Sequence, residues 1–292
     1  MKRTERLRPY LTRVRDMARL YQNWPTALGD RLSIKKRQGL VIYRLRGQGD
    51  KGVTLLAERN GADVRVINEM WLVKPYLRHA PDAFRSPVSV VDIGANRGYF
   101  ALFIAATFAD VHLFCFEPER ANFNLLRANL SLNALEPVEL HRAAVTSDQE
   151  KRKTLWLGNE PGLHTLVSPD PAAASGGRYT GETEIVDAIH IVPAMRSVQA
   201  QERHVDILKL DTEGTEGELL MAAARSGLLA GVRYITAEVG YGQEAQCLCE
   251  KLEELGFETW LEAPYFYALN RRVDGASAGP HESAPEHRSD PC

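Results

Sequence analysis

The chain has 292 residues, 44% hydrophobic and 25% charged, with a formal net charge of -2 at pH 7, which is a globular composition. So small a net charge argues against nucleic acid or an anionic membrane as the partner of the whole chain. No apolar run approaches the ~18 residues that a membrane span needs. The opening Met1-Lys2-Arg3-Thr4-Glu5 is basic and lacks the apolar core of a secretory signal. The cysteines Cys115, Cys247, Cys249 and Cys292 have the spacing of neither a disulfide framework nor a zinc site. A reducing, cytoplasmic setting is expected.

Residues 1 to about 24 place Leu7, Leu11, Val14, Met17 and Tyr21 at helical spacing among arginines. This predicts an amphipathic helix packed on the domain or on a second copy of the chain, which would make a homo-oligomer. Short β-type runs between Leu40 and Arg65 predict one or two hairpins, and Glu69 to His79 a short helix. An alternating core follows. Val88–Ile93, Val111–Glu117 and Val138–Val145 read as strands, with helices at Tyr99–Phe108 and Arg120–Asn133 between them. A stretch rich in Gly, Pro, Ser and Ala from Gly158 to Glu182 reads as a long loop, either a functional lid or disordered. Strands at Val205–Asp211 and Val232–Val239 alternate with helices at Glu216–Ser226 and Ala245–Leu255, and Phe257–Leu261 with Tyr265–Leu269 fit a terminal antiparallel pair. The fold class is therefore α/β, a doubly wound, seven-stranded, mostly parallel sheet with an N-terminal helix and hairpin extension. Residues 1–85 form that extension, 86–270 the main domain, and 271–292 a polar tail expected to be disordered.

Three constellations carry chemistry. The first is Asp92-Ile-Gly94-Ala-Asn96-Arg-Gly98, a glycine turn that follows an apolar strand. A dinucleotide site wants G-x-G-x-x-G, whose second glycine lets the backbone approach a pyrophosphate. Here Ala95 stands in that place, and the spacing suits a nucleoside ligand without phosphates, for which S-adenosylmethionine is the leading candidate. Asp92 can hold turn amides or reach the ligand's ammonium group, Asn96 can bond the turn or the ligand's amino-acid end, and Gly94 and Gly98 permit close backbone approach. The second is Glu117, an acid closing the strand Leu113-Phe-Cys-Phe at the edge where open sheets bind ligands, with two oxygens to match a ribose diol. The alternative is a cap for the helix opened by Pro118-Glu-Arg, which would explain an acid nearby but not one that closes this strand.

The third is Asp206-Ile-Leu-Lys209-Leu-Asp211-Thr-Glu213-Gly214-Thr-Glu216. A lysine inside a strand covered on both faces needs a partner, and Asp211, two residues on, shares its face. Asp211 and Glu213 then lie at the sheet edge, joined by Glu238 from the neighbouring strand.

These segments resemble the FkbM family of class I S-adenosylmethionine-dependent methyltransferases, with a Rossmann-like fold. The resemblance rests on Asp92 to Phe100, Phe116-Glu-Pro-Glu119, Leu125-Leu-Arg-Ala-Asn129 with Leu132-Asn133, and Ala143-Ala-Val-Thr-Ser-Asp148. It continues through Asp206 to Glu216 and Glu238, ending in Leu252-Glu-Glu-Leu-Gly-Phe257, and covers about residues 90 to 262. It implies S-adenosylmethionine held by Asp92, Gly94, Asn96, Gly98, Glu117 and Ala144. It also implies methyl transfer to a hydroxyl of a sugar, glycolipid or secondary metabolite. Two positions depart from the family pattern. Ile191-Val-Pro193-Ala replaces a Leu-Asp, and Gly240 stands where the family often has a histidine.

An alcohol is a poor nucleophile at neutral pH, so a base is expected among Asp211, Glu213, Glu238 and His164, with Asp211 or Glu213 preferred. The alternative is a magnesium ion held by Asp211, Glu213 and Glu238. Two further readings compete: an NAD-dependent oxidoreductase on the same sheet, and a non-catalytic cofactor-binding partner in a biosynthetic complex.

Overall fold

The computed structural model describes residues 14–32, 39–47, 52–59, 61–82, 84, 86–136, 138–160, 162–169, 177–202, 204–239 and 242–274. Residues 14–20 are helical and lead into α1 (Trp24–Arg31), the hairpin β1 (Leu40–Leu45) and β2 (Val53–Glu58), and α2 (Gly61–Asn68). Met17, Leu20 and Tyr21 are buried, and Tyr21 meets Tyr43 of β1 edge to face at 5.7 Å. The described part of the first helix thus turns its apolar face into its own chain. Leu7 and Leu11 lie outside the described residues.

The main sheet begins with β3 (Val88–Ile93), α3 (Tyr99–Thr107), β4 (Val111–Phe116), α4 (Arg120–Leu132) and β5 (Val138–His141). The next segments are β6 (Ala144–Thr146), β7 (Arg152–Gly158), β8 (Tyr179–His190) and α5 (Ile191–Gln201). The chain closes with β9 (Val205–Leu210), α6 (Glu216–Arg225), β10 (Val232–Glu238), α7 (Gln243–Glu254), β11 (Phe257–Glu262) and β12 (Tyr265–Asn270). The seven-stranded sheet has the order β11-β12-β10-β9-β3-β4-β5, with β12 antiparallel to both of its neighbours and the other pairings parallel. This is the doubly wound sheet read from the alternation. β3 and β9 are buried at every position, as central strands covered on both faces must be. One apolar cluster joins α3 and α4 to the N-terminal elements, and another packs α5, α6 and α7 on the opposite face.

Four expectations need correction. Val138–Val145 is two strands: after His141 the chain leaves the main sheet, and β6 pairs with β8 in a separate three-stranded sheet, β6-β8-β7. The stretch beyond Gly158 is bounded by an antiparallel arm of β7 and β8, hidden from the sequence because its outward residues are polar. Arg271–Asp274, expected to open a disordered tail, forms a helical turn, and Arg271 pairs with Glu258; residues 275–292 lie outside the described residues. Cys115 and Cys249 are free thiols and Cys247 is disulfide-bonded, so the spacing argument against disulfides does not extend to Cys247.

The asparagines of the resemblance have a physical role. Asn133 takes the Thr54 amide at 2.9 Å and gives its own amide to the Thr54 carbonyl at 2.7 Å, and Asn129 does the same for Leu56 at 2.6 and 3.0 Å. One turn of helix (about 5.4 Å) nearly matches two residues of strand. Side-chain amides four apart on α4 can therefore act as a neighbouring strand and satisfy the open edge of β2. Asn129 also donates to the carbonyl of Arg97 at 2.8 Å, tying the hairpin to the glycine turn.

Candidate active site

In the order of the sheet, β4 lies on one side of β3 and β9 on the other, so the direction of winding reverses between β3 and β9. Open sheets bind ligands outside the strand ends at such a point. A cleft of about 180 Å³ opens there.

The turn after β3 is shaped by its neighbours. Gly94 has φ +79°, and a Cβ on it would stand 1.8 Å from the carbonyl oxygen of Asp211. A Cβ on Gly98 (φ +80°) would stand 2.6 Å from Cδ1 of Leu126. Both glycines let the turn pack against β9 and α4. Gly94 lines the cleft, while Gly98 does not. Asn96 lines it too, held in the left-handed region at φ +50°.

Asp92 does not reach the cleft. It is fully buried and takes a hydrogen bond from Lys209 Nζ at 3.0 Å, across a register that sets Asp92 beside Lys209. Lys209 also donates to the Gly94 carbonyl at 3.0 Å and stands 3.5 Å from Asp211 Oδ2. Its closer carboxylate is therefore Asp92 rather than Asp211, the pairing expected from sequence. Burial opposes the charge on Lys209, but the Asp92 and Asp211 carboxylates outweigh it and push its pKa up to about 12.

Glu117 lines the cleft beyond the end of β4. Oε2 accepts the Asn96 amide at 2.8 Å and Oε1 the Glu119 amide at 2.9 Å. The helix cap of α4 is instead Glu119, which accepts the Ala121 and Asn122 amides, so the capping alternative for Glu117 falls away. Burial raises the pKa of Glu117 to about 8 against those two amides. Ala144 also lines the cleft, with Ala143 and Val145.

At the other end stand carboxylates. Asp211 Oδ2 accepts the Tyr76 hydroxyl at 2.8 Å. Glu213 occupies a left-handed conformation (φ +60°) and pairs with Arg178 at 3.0 Å, while its carbonyl takes the Thr165 hydroxyl at 2.7 Å. Burial and the Asp211 charge raise its pKa to about 7. Glu238 takes no hydrogen bond from the described residues. Burial and the charges of Asp211, Glu213 and Glu69 raise its pKa to about 8. His164 hangs over the cleft from the arm, its Nδ1 accepting the Gly158 amide at 3.0 Å. That bond leaves the proton on Nε2, so the ring presents a donor rather than a base, and burial lowers its pKa.

The structure thus brings Gly94, Asn96, Glu117, Ala144, His164, Asp211, Glu213 and Glu238 into one cleft and leaves Asp92 and Gly98 behind it. Asp211, Glu213 and Glu238, expected as magnesium ligands, share this cleft, but among the described residues no three His, Cys, Asp or Glu side chains form a metal-holding group. The substituted Gly240 lies outside the described residues. Sequence reasoning missed Glu69, Tyr76 and Tyr265, which also line the cleft. They lie in segments without a motif, and periodicity alone gives them no signal.

No helix among the described residues is long and apolar enough to cross a membrane. The chain is 28% identical over 152 residues to methyltransferase sdnD of Sordaria araneosa, covering 45% of this chain and 58% of that protein. It is 24% identical over 148 residues to methyltransferase 1 of Beauveria bassiana (strain ARSEF 2860), covering 45% and 56%. The match therefore spans less than two thirds of the length of these curated relatives. The precorrin-6y C5,15-methyltransferase from Geobacter metallireducens GS-15 superposes over 70% of this chain and 85% of its own, with a TM-score of 0.37 at 13% identity. The model of the methyltransferase FkbM domain matches residues 92–259, more than half of the chain. The chain belongs to the methyltransferase FkbM domain family.

Proposed function

We propose that this chain is an S-adenosylmethionine-dependent O-methyltransferase that methylates a hydroxyl of a sugar, glycolipid or secondary metabolite. The observation that carries the reading is a single cleft at the switch point, with Glu117 at one end and Asp211, Glu213 and Glu238 at the other. The cofactor end fits a nucleoside. Each oxygen of Glu117 accepts one amide, and its second lone pair remains for a ribose hydroxyl. Glu117, Asn96 and Ala144 would hold S-adenosylmethionine, which supplies the methyl group and its own leaving group.

The protein's remaining tasks are to align the acceptor oxygen, exclude water and take one proton. Glu238 suits the last of these, because no donor of the described residues occupies it, and burial together with the neighbouring carboxylates makes it a stronger base than an ordinary carboxylate. Asp211, fixed by Tyr76 and Lys209, orients the hydroxyl. Glu213, engaged by Arg178 and Thr165, fastens the arm over the cleft. As the acceptor oxygen gains the methyl group, its proton passes to Glu238.

Calorimetric titration with S-adenosylmethionine, with NAD as the control, tests the cofactor. Heat with NAD alone would overturn the reading. Incorporation of labelled methyl into hydroxyl compounds of a cell extract tests the transfer, and binding without incorporation would point to the non-catalytic alternative.

A further inference from the structure

We infer that Tyr76 is a positioning residue for methyl transfer, brought to the site by a segment outside the family-matched residues. The inference rests on the proposed reading of the cleft. Tyr76 sits on a 3-10 turn, Pro75–Leu77, that follows a π-helical turn, Glu69–Val73. Between them Lys74 adopts a left-handed conformation (φ 55°), one that a non-glycine residue holds only where its surroundings impose it. The ring meets Phe100 and Tyr265 edge to face, each at 5.5 Å, so its orientation is fixed by packing on two sides.

The hydroxyl is spent on Asp211 Oδ2 at 2.8 Å, the oxygen that also faces Lys209. Oδ1 takes no hydrogen bond from the described residues, and the side chain keeps 26% of its exposure. A buried phenol and a buried ammonium therefore hold one oxygen of Asp211 and leave the other for the acceptor. Tyr265 treats Glu69 alike, donating its hydroxyl to Oε1 at 2.5 Å. Glu69 and Tyr76 precede residue 92, and Tyr265 follows residue 259. This chain's own flanks thus supply part of the wall around these carboxylates, beside Asp211, Glu213 and Glu238 of the matched segment.

Tyr76→Phe keeps the ring contacts and removes only the hydrogen bond. In protein carrying ¹³C-labelled aspartate carboxyls, the Asp211 signal is assigned by its loss in Asp211→Asn. Tyr76→Phe is expected to move that signal, while Tyr265→Phe leaves it in place. An unmoved signal in a folded Tyr76→Phe protein would overturn the inference, and this readout needs no acceptor. With labelled acceptor in hand, Tyr76→Phe should lower kcat about tenfold with unchanged S-adenosylmethionine affinity, and cost nothing further in the Asp211→Asn background. An equal loss in both backgrounds would mean that Tyr76 does not act through Asp211. Failure to bind S-adenosylmethionine would sink the proposed function while leaving the carboxyl result to stand by itself.

Discussion

At the β4 end of the cleft Glu117 meets two backbone amides, whereas at the β9 and β10 end Glu238 faces other carboxylates and meets none. The first arrangement is made by main chain and is rigid, because the amides belong to the glycine turn and the start of α4. The second is made by side chains from five elements, three of them outside the family-matched segment. A site that must hold one invariant ligand can be built from backbone. A site that must differ between relatives is better built from side chains that can be exchanged without unfolding the turn.

The comparison is broken most severely at the support beneath both ends. Lys209→Met leaves Asp92 as an unpaired buried carboxylate and should cost about 3–5 kcal/mol in urea unfolding, with Asp92→Asn in the same chain restoring part of it. Gly94→Ala drives a Cβ into the Asp211 carbonyl at a positive φ. The loss expected there is about 3 kcal/mol, and equilibrium unfolding that matched wild type would contradict it. Glu238→Gln separates the two ends: methyl transfer should fall about a hundredfold or more with S-adenosylmethionine affinity retained. If affinity fell instead, Glu238 would belong to the cofactor.

A pH series sharpens the same contrast. Glu213 and Glu238, raised to about 7 and about 8, bind more protons in the folded than in the unfolded chain between about pH 4.5 and 8. Their contribution to stability is complete below the unfolded value and is lost as pH climbs through 7 and 8. Methyl transfer should run the other way, rising over the upper part of that range as Glu238 loses its proton. Glu238→Gln should flatten the activity curve and only lessen the pH dependence of stability, since Glu117 and Glu213 still titrate in that range, and a wild-type melting temperature that rose from pH 5 to 8 would count against the assignment. The smallest effect is expected at the arm. Arg178→Ala removes a half-exposed pair with Glu213 and should raise deuterium uptake in residues 162–169 with little change in global stability.

Much of the site was legible because its backbone chemistry is local. An apolar strand, a glycine turn and an acid closing the next strand lie within about thirty residues, and such a pattern dictates its own geometry. The pairing of Lys209 was half legible: the need for a partner follows from burial, but strand order made that partner Asp92 rather than Asp211 alone. Ala144 lines the cleft by another route than a continuing third strand, through a break after His141 that no periodicity marks. Gly98 illustrates the converse. Its φ justified a glycine, yet the space it preserves is filled by Leu126.

By itself the chain determined the doubly wound sheet and the position of the cleft, because hydrophobic alternation and turn residues act over short distances. Tertiary structure alone decided which acids line the cleft, which are tied to a cation, and that Tyr76, Tyr265 and Glu69 join them. Those contacts cross as many as 196 residues of chain, and they depend on which strand ends up beside which.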